Sequence, residues 1–162
     1  MEEPIIISNL NDFIFCPASI YFHNLYGNQS TISYQNKDQI NGKKAHENID
    51  TGVYSTRRSI ISGIGVYSEE YGLIGKIDIY NGNNEHLIER KRTIKTIYDG
   101  YVFQLYAQYL CMTEMGYKIK KISLYSMTDN RMYPILLPEE DPEMFDKFKT
   151  LKNSNRRTVK SV

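Results

Sequence analysis

Residues 75–91 have the sequence GKIDIYNGNNEHLIERK, in which two segments of strand composition flank the polar stretch NGNN at 81–84. Isoleucine, tyrosine and leucine alternate with polar residues on either side of that stretch, which is the period of a half-buried strand. Glycine and asparagine tolerate the positive φ angles that tight hairpins require. The stretch therefore predicts an antiparallel β-hairpin.

Charged side chains lie near the base of this predicted hairpin. Asp78 and Glu89 can project from neighbouring strands towards one edge, where two close carboxylates repel each other unless a cation neutralises them. Mg²⁺ or Mn²⁺ prefers such oxygen ligands and can polarise a phosphoryl oxygen. Lys91 follows Glu89 by two residues and shares its strand face, where it could orient an attacking water or neutralise developing charge. This spacing indicates phosphodiester hydrolysis, and the alternative is an ordinary solvated hairpin.

Further residues could complete such a site. His46, on a helix predicted at 37–50, could add an imidazole ligand that favours Mn²⁺ over Mg²⁺, although a lone histidine is more often a surface or capping residue. A backbone carbonyl near Arg90 is expected to be a further oxygen ligand. Arg90, Arg92 and Lys95 can hold a phosphate backbone without reading its sequence. Some of the fourteen tyrosines could stack on unpaired bases, and most are expected in the core or at its rim.

Helices are predicted on both sides of the hairpin. Ser8 is expected to cap a first helix, and Asp99 a central one. The segments at 120–126 and 132–137 have the composition of a second hairpin. Pro142 suits the first turn of a final helix. Helices, a meander of strands, a helix, two strands and a helix make an α/β or α+β domain.

Composition bounds the class of protein. The chain has 162 residues, 41% of them apolar and 24% charged, which predicts one domain over residues 1–162. A net charge of +1 creates no general attraction to polyanions, so a nucleic-acid site must be a local patch. No apolar stretch approaches the ~18 residues of a membrane span, and the N-terminus is acidic where a signal peptide is basic. A cytoplasmic protein without membrane contact is expected.

Five segments in order resemble one known family. They are ISNLNDFIFCP at 7–17, GKKAH at 42–46, GKID at 75–78, ERK at 89–91 and QLYAQYLCM at 104–112. Each segment is loose by itself, whereas their order over a hundred residues is specific. Together they resemble the RecB-like branch of the PD-(D/E)xK nucleases, and within it the CRISPR-associated Cas-four family.

The resemblance implies a restriction-endonuclease-like core with a mixed central sheet flanked by helices. It implies that Asp78, Glu89 and Lys91 are catalytic, and that His46 helps the two carboxylates to bind Mn²⁺ or Mg²⁺. The implied activity is cleavage of single-stranded DNA or duplex ends, as prespacer processing in CRISPR adaptation with the adaptation integrase as partner. The alternatives are another PD-(D/E)xK repair or restriction nuclease, and a catalytically silent subunit that binds DNA or the integrase.

The glutamine segment leads to an expectation about geometry. Gln104 and Gln108 are one helical turn apart and follow the Glu89 strand closely. They are expected to point at the catalytic edge, against Glu89 and Lys91. The alternative is two polar residues on a solvated helix face.

The cysteines depart from the family pattern. The family usually holds an iron-sulfur cluster with one cysteine near the N-terminus and three in a C-terminal group. Here Cys16 occupies the first ligand position, and the second cysteine, Cys111, lies in the apolar stripe of a predicted helix. Because a cluster normally needs about four thiolates, none is expected in this chain. The sequence leaves open whether the C-terminal cysteines were lost or the chain is a shortened form.

Overall fold

The protein is described by a computed structural model over residues 3–15 and 59–160. These residues form eight strands and three helices in a mixed α/β arrangement. The helices are α1 (Ile7–Phe15), α2 (Asp99–Glu114) and α3 (Pro142–Lys160). The strands are β1 (Ile5–Ile6), β2 (Ile60–Ser62), β3 (Gly65–Ser68), β4 (Leu73–Lys76), β5 (Ile79–Asn81), β6 (His86–Lys91), β7 (Lys121–Ser126) and β8 (Arg131–Ile135).

The strands pair into two mixed sheets. The smaller sheet has the order β1-β4-β3, with β1 parallel to β4. The larger sheet has the order β2-β5-β6-β7-β8, with β6 parallel to β7 and the other pairs antiparallel. A parallel pair needs a crossover connection, and α2 supplies it between β6 and β7.

A bend joins the two sheets. The same antiparallel register holds between β2 and β5 and between β3 and β4. Two backbone hydrogen bonds continue it across the gap, from Gly63 N to Asp78 O at 3.1 Å and from Ile77 N to Ile64 O at 3.1 Å. Gly63 has a φ of 64°, which other residues adopt only with strain. The chain thus changes sheets next to Asp78.

The predicted hairpin is confirmed as β5 and β6. Its connection is residues 82–85, and the residue with positive φ is Glu85, at 51°, rather than a glycine or asparagine. Ile79 pairs with Ile88. One step further along the same register, Asp78 comes opposite Glu89.

Two predicted helix caps were wrong, whereas the predicted first residue of the last helix was correct. Helix α1 begins at Ile7, so Ser8 lies inside its first turn. The N-cap of α2 is Tyr98, in an extended conformation without a side-chain hydrogen bond, so Asp99 is the first helical residue and adds negative charge to that turn. Pro142 is the first residue of α3, as predicted. The second predicted hairpin is confirmed as β7 and β8.

The core lies between the two sheets and the helices. Helix α2 is buried on several sides because α1, α3 and strands of both sheets pack against it. Aromatic rings of α2 and α3 meet there, with Tyr106 and Phe148 at 6.2 Å between ring centroids. Fully buried apolar side chains include Leu10, Ile77, Leu87, Leu105, Tyr106, Met112, Ile122, Leu124 and Phe148.

Some sequence predictions fall outside the described residues. These are the continuation of the first helix beyond Phe15, Cys16, the helix at 37–50 and His46. In the part of the chain that is described, no helix has the length and apolar character required to cross a membrane.

Gly75 is the point at which α1 approaches β4 most closely. A Cβ atom there would lie 2.9 Å from Ile7 Cβ and 3.0 Å from Ile7 Cδ1. We expect Gly75→Ala to lower the free energy of unfolding by about 1–3 kcal/mol, because the buried Ile7 must shift. Thermal unfolding measures this. Ser62→Ala, on exposed β2, is the control and should change stability by less than about 0.5 kcal/mol. An unchanged melting temperature for Gly75→Ala would contradict the close contact.

Candidate active site

Glu89 and Lys91 project from β6 towards α2. Alternation along the strand places both on the face that carries the buried Leu87. Their side chains are only 12% and 19% exposed, and Lys91 Nζ lies 3.7 Å from Glu89 Oε1. An acid and a base are thus held side by side at the margin of the core.

Gln108 fixes the carboxylate of Glu89. Its Nε2 donates to Glu89 Oε2 at 3.0 Å and, more weakly, to the carbonyl of Lys76 at 3.3 Å. The residue is 1% exposed, so this amide belongs to the core rather than to a solvated helix face. Gln108 Oε1 is buried and finds no hydrogen-bond partner among the described residues. A buried acceptor without a partner is costly, and a bound ion or a group outside the described residues would offset that cost.

Gln104 and Tyr101 fix the ammonium of Lys91. Lys91 Nζ donates to Gln104 Oε1 at 2.6 Å and lies 4.8 Å from the centroid of the Tyr101 ring. The structure therefore brings both glutamine amides to Glu89 and Lys91, as expected from the sequence. Tyr101 was not singled out, although its position three residues before Gln104 puts it on the same helix face.

Asp78 lies at the bend, and both of its carboxylate oxygens accept hydrogen bonds from Arg90. Its Oδ2 accepts hydrogen bonds from the Arg90 backbone N–H at 3.0 Å and from Nε at 2.9 Å. Its Oδ1 accepts from Arg90 Nη2 at 2.8 Å. The fork of hydrogen bonds from the Arg90 side chain holds the pKa of Asp78 below its usual value. Asp78 is therefore ionised at neutral pH.

Burial acts on Glu89 in the opposite direction. Desolvation raises the pKa of Glu89, while the hydrogen bond from Gln108 and the charge of Lys91 partly offset that rise. The negative charge of Asp78 also raises the pKa of Glu89, so the two carboxylates interact electrostatically. Adjacent carboxylates whose pKa values move apart are typical of a site that does chemistry.

The raised pKa of Glu89 has a consequence for stability without bound cations. A carboxyl whose folded-state pKa is raised costs stability once pH exceeds its unfolded value of about 4.3. We therefore expect Glu89→Gln to raise the melting temperature at pH 7 in chelator. The gain should shrink as pH falls and disappear below about pH 4, where the glutamate is protonated in both states. Melting curves from pH 3.5 to 7.5 measure this. A destabilised variant at pH 7 would contradict the burial penalty.

The donors fit a hard divalent cation. The described residues offer carboxylate oxygens from Asp78 and Glu89 and the unpartnered amide oxygen of Gln108, all of the type that Mg²⁺ and Mn²⁺ prefer. Among these residues, no group of three or more histidine, cysteine, aspartate or glutamate side chains is arranged as a metal site. A third ligand of that kind would have to come from outside the described ranges, where His46 lies. The roles of His46 and of a carbonyl near Arg90 stay predictions.

Two exposed cations follow the strand that carries Glu89 and Lys91. Arg92 and Lys95 are exposed on the connection between β6 and α2. Arg90 is 45% exposed, and its guanidinium is paired with Asp78.

The free cysteine of the described residues, Cys111, is buried, and burial raises the pKa of its thiol. A protonated, buried thiol has a structural role.

Comparisons with known proteins define the fold. No family model matches the chain, and no curated protein matches it. A solved structure, that of SSO0001, aligns with 96% of this chain and 76% of its own, with a TM-score of 0.52 and 15% sequence identity. The chain shares its fold with SSO0001. At this identity the likeness concerns the fold alone.

Proposed function

We propose that this protein is a metal-dependent deoxyribonuclease of the PD-(D/E)xK type. The observation that carries the proposal is that Glu89 and Lys91 lie side by side, bonded to Gln108 and Gln104 respectively, while Asp78 comes opposite Glu89 in the register of the same hairpin. Carboxylates beside a lysine are the groups that phosphodiester hydrolysis requires: oxygen ligands for a cation and a positive charge for the transition state.

Each residue has a distinct task in this proposal. Glu89 and Asp78 would hold the cation, which when bound supplies Lewis-acid polarisation of the phosphoryl oxygen and lowers the pKa of water. Lys91 neutralises the charge that develops on the phosphate and helps to orient the water. Gln104 and Gln108 keep Lys91 and Glu89 in place, so that little reorganisation is needed during reaction.

The substrate and the biological setting rest on resemblance. Similarity to the Cas-four family supports prespacer DNA as the substrate, the adaptation integrase as the partner and the cytoplasm as the location. The residues themselves support only phosphodiester hydrolysis with weak sequence preference, because Arg92 and Lys95 can hold a phosphate backbone without reading its sequence. Another PD-(D/E)xK repair or restriction nuclease would use the same groups.

A cleavage assay tests the activity. End-labelled single-stranded and blunt duplex oligonucleotides are incubated with the protein in Mn²⁺ or Mg²⁺, and binding is measured on the same preparation. We expect shortened products in at least one metal. DNA binding without cleavage in either metal would contradict the nuclease and favour a silent subunit.

One observation favours that second candidate. Both carboxylate oxygens of Asp78 accept hydrogen bonds from Arg90, which would compete with a cation. A protein that no longer needs the cation could use this pair to close the site. The largely buried side chains of Glu89 and Lys91 and the buried Gln108 weigh against that reading, since their polar groups bring a desolvation cost that a silent protein need not keep.

The Arg90 pair also makes a prediction about cation affinity. Arg90→Gln removes the competing guanidinium, so Mn²⁺ should bind a few-fold more tightly in titration calorimetry without DNA. The gain is modest because Arg90 is largely solvated and its pairing is screened by water. Arg92→Gln, which removes the same charge two residues away, is the control. Equal Mn²⁺ affinities in wild type and Arg90→Gln would show that the pair does not oppose the cation.

A further inference from the structure

The connection from β6 to α2, residues 92–98, is held firmly against the large sheet. Ile94 is buried, and its N–H donates to Ser126 Oγ at 3.1 Å. The carbonyls of Lys91 and Arg92 accept from the N–H groups of Met127 and Thr128 at 2.9 and 3.0 Å. Side chains on this connection therefore start from a fixed backbone next to the candidate active site.

Tyr98 ends this connection and meets Tyr101. The two rings lie edge to face, with centroids 5.4 Å apart and an interplanar angle of 85°. The N–H of Tyr101 donates to the carbonyl of Tyr98 at 3.0 Å, and Lys91 Nζ lies 4.8 Å from the centroid of the Tyr101 ring. Tyr101 thus contacts both Tyr98 and Lys91, while Tyr98 remains 46% exposed.

The charged residues around Tyr98 and Tyr101 favour the binding of a polyanion. Arg92 and Lys95 are exposed on the same connection, and Asp99 is the one acid among residues 92–101. Two cations that track a backbone beside an exposed aromatic ring are the parts of a single-strand site. In the interior of a duplex each base is already paired and is stacked on both faces, so the ring finds no free base face there.

We propose that Tyr98, supported by Tyr101, is a stacking site for one unpaired nucleobase of a DNA strand whose phosphate lies at Lys91. This inference rests on the proposed function of Lys91 and adds a contact that selects unpaired ends over blunt duplex. Stacking on a preorganised ring loses little conformational entropy, so the contact with Tyr98 should contribute measurably to single-strand affinity.

Binding without cleavage tests the inference. Fluorescence anisotropy in chelator compares a single-stranded oligonucleotide with a fully paired, blunt-ended duplex of the same sequence. Tyr98→Ala should bind the single strand about tenfold more weakly and the duplex as wild type does. Tyr98→Phe keeps the ring and should bind both as wild type does. Leu136→Ala, which truncates a side chain that is 56% exposed at the opposite end of the large sheet, should change neither affinity.

Three results would overturn the stacking site. They are unchanged single-strand affinity in Tyr98→Ala, equal losses for single strand and duplex, and the absence of any DNA binding by wild type. The melting curve of Tyr98→Ala verifies that the variant folds, and Tyr98→Phe, which keeps the ring, separates stacking from folding. Because no metal is present, failure of cleavage bears on the proposed nuclease, whereas failure of this selectivity bears on Tyr98 alone.

Discussion

Asp78→Ala and Glu89→Ala are each expected to lower the rate of metal-dependent DNA cleavage about a thousandfold. Each removes oxygen ligands of the cation, whose stabilisation of the transition state is worth several kcal/mol. The double variant should be little worse than either single one, because residues that act as a unit lose their effect together. Glu143→Ala, which removes an exposed acid in the first turn of α3, is the matched control.

Rates are measured on a labelled oligonucleotide in Mn²⁺, with melting curves of all variants. Glu89→Ala is expected to remain folded, since the substitution removes a buried charge. If both single variants cleaved DNA at the wild-type rate, these carboxylates could not be the catalytic pair.

Lys91→Ala is expected to lower the cleavage rate about a hundredfold or more at saturating DNA. The affinity for DNA should fall far less, because a group that serves the transition state need not hold the ground-state complex. The structure supports this separation, since Lys91 is only 19% exposed and is bound to Gln104 instead of reaching into solvent. Lys147→Ala, an exposed lysine on α3, should change neither quantity.

Single-turnover rates and equilibrium affinities, measured separately, distinguish the two roles of Lys91. Equal losses in both would make Lys91 a phosphate contact. Gln104→Leu should lower the cleavage rate by a smaller factor than Lys91→Ala does, because it removes the acceptor that fixes the ammonium of Lys91.

Local rules predicted the parts of the site that depend on periodicity. The two-residue period of a strand placed Glu89 and Lys91 on one face, and the helical turn between Gln104 and Gln108 placed both amides together. These relations are short in sequence, so no knowledge of tertiary packing was needed. Periodicity alone did not predict their juxtaposition across β6 and α2, which was expected because the glutamine segment follows the Glu89 strand closely and resembles the family's.

Those local rules did not predict the bend at Asp78. Residues 73–80 have continuous strand composition, and nothing in them marks the change of sheet. The change depends on Gly63, fifteen residues earlier, and on which strands each half pairs with. Alternation also placed Arg90 on the face opposite Glu89. Its long side chain nevertheless reaches the carboxylate of Asp78 at the bend.

The central claim is that this site hydrolyses DNA only with a bound divalent cation. The most direct measurement is the cleavage rate of one labelled oligonucleotide by chelator-stripped protein, before and after Mn²⁺ is restored, with Glu89→Gln in parallel. We predict no cleavage by the stripped wild type, full recovery on adding Mn²⁺, and no recovery for Glu89→Gln. Cleavage that persists in chelator, or a Glu89→Gln variant that recovers as wild type does, would contradict it.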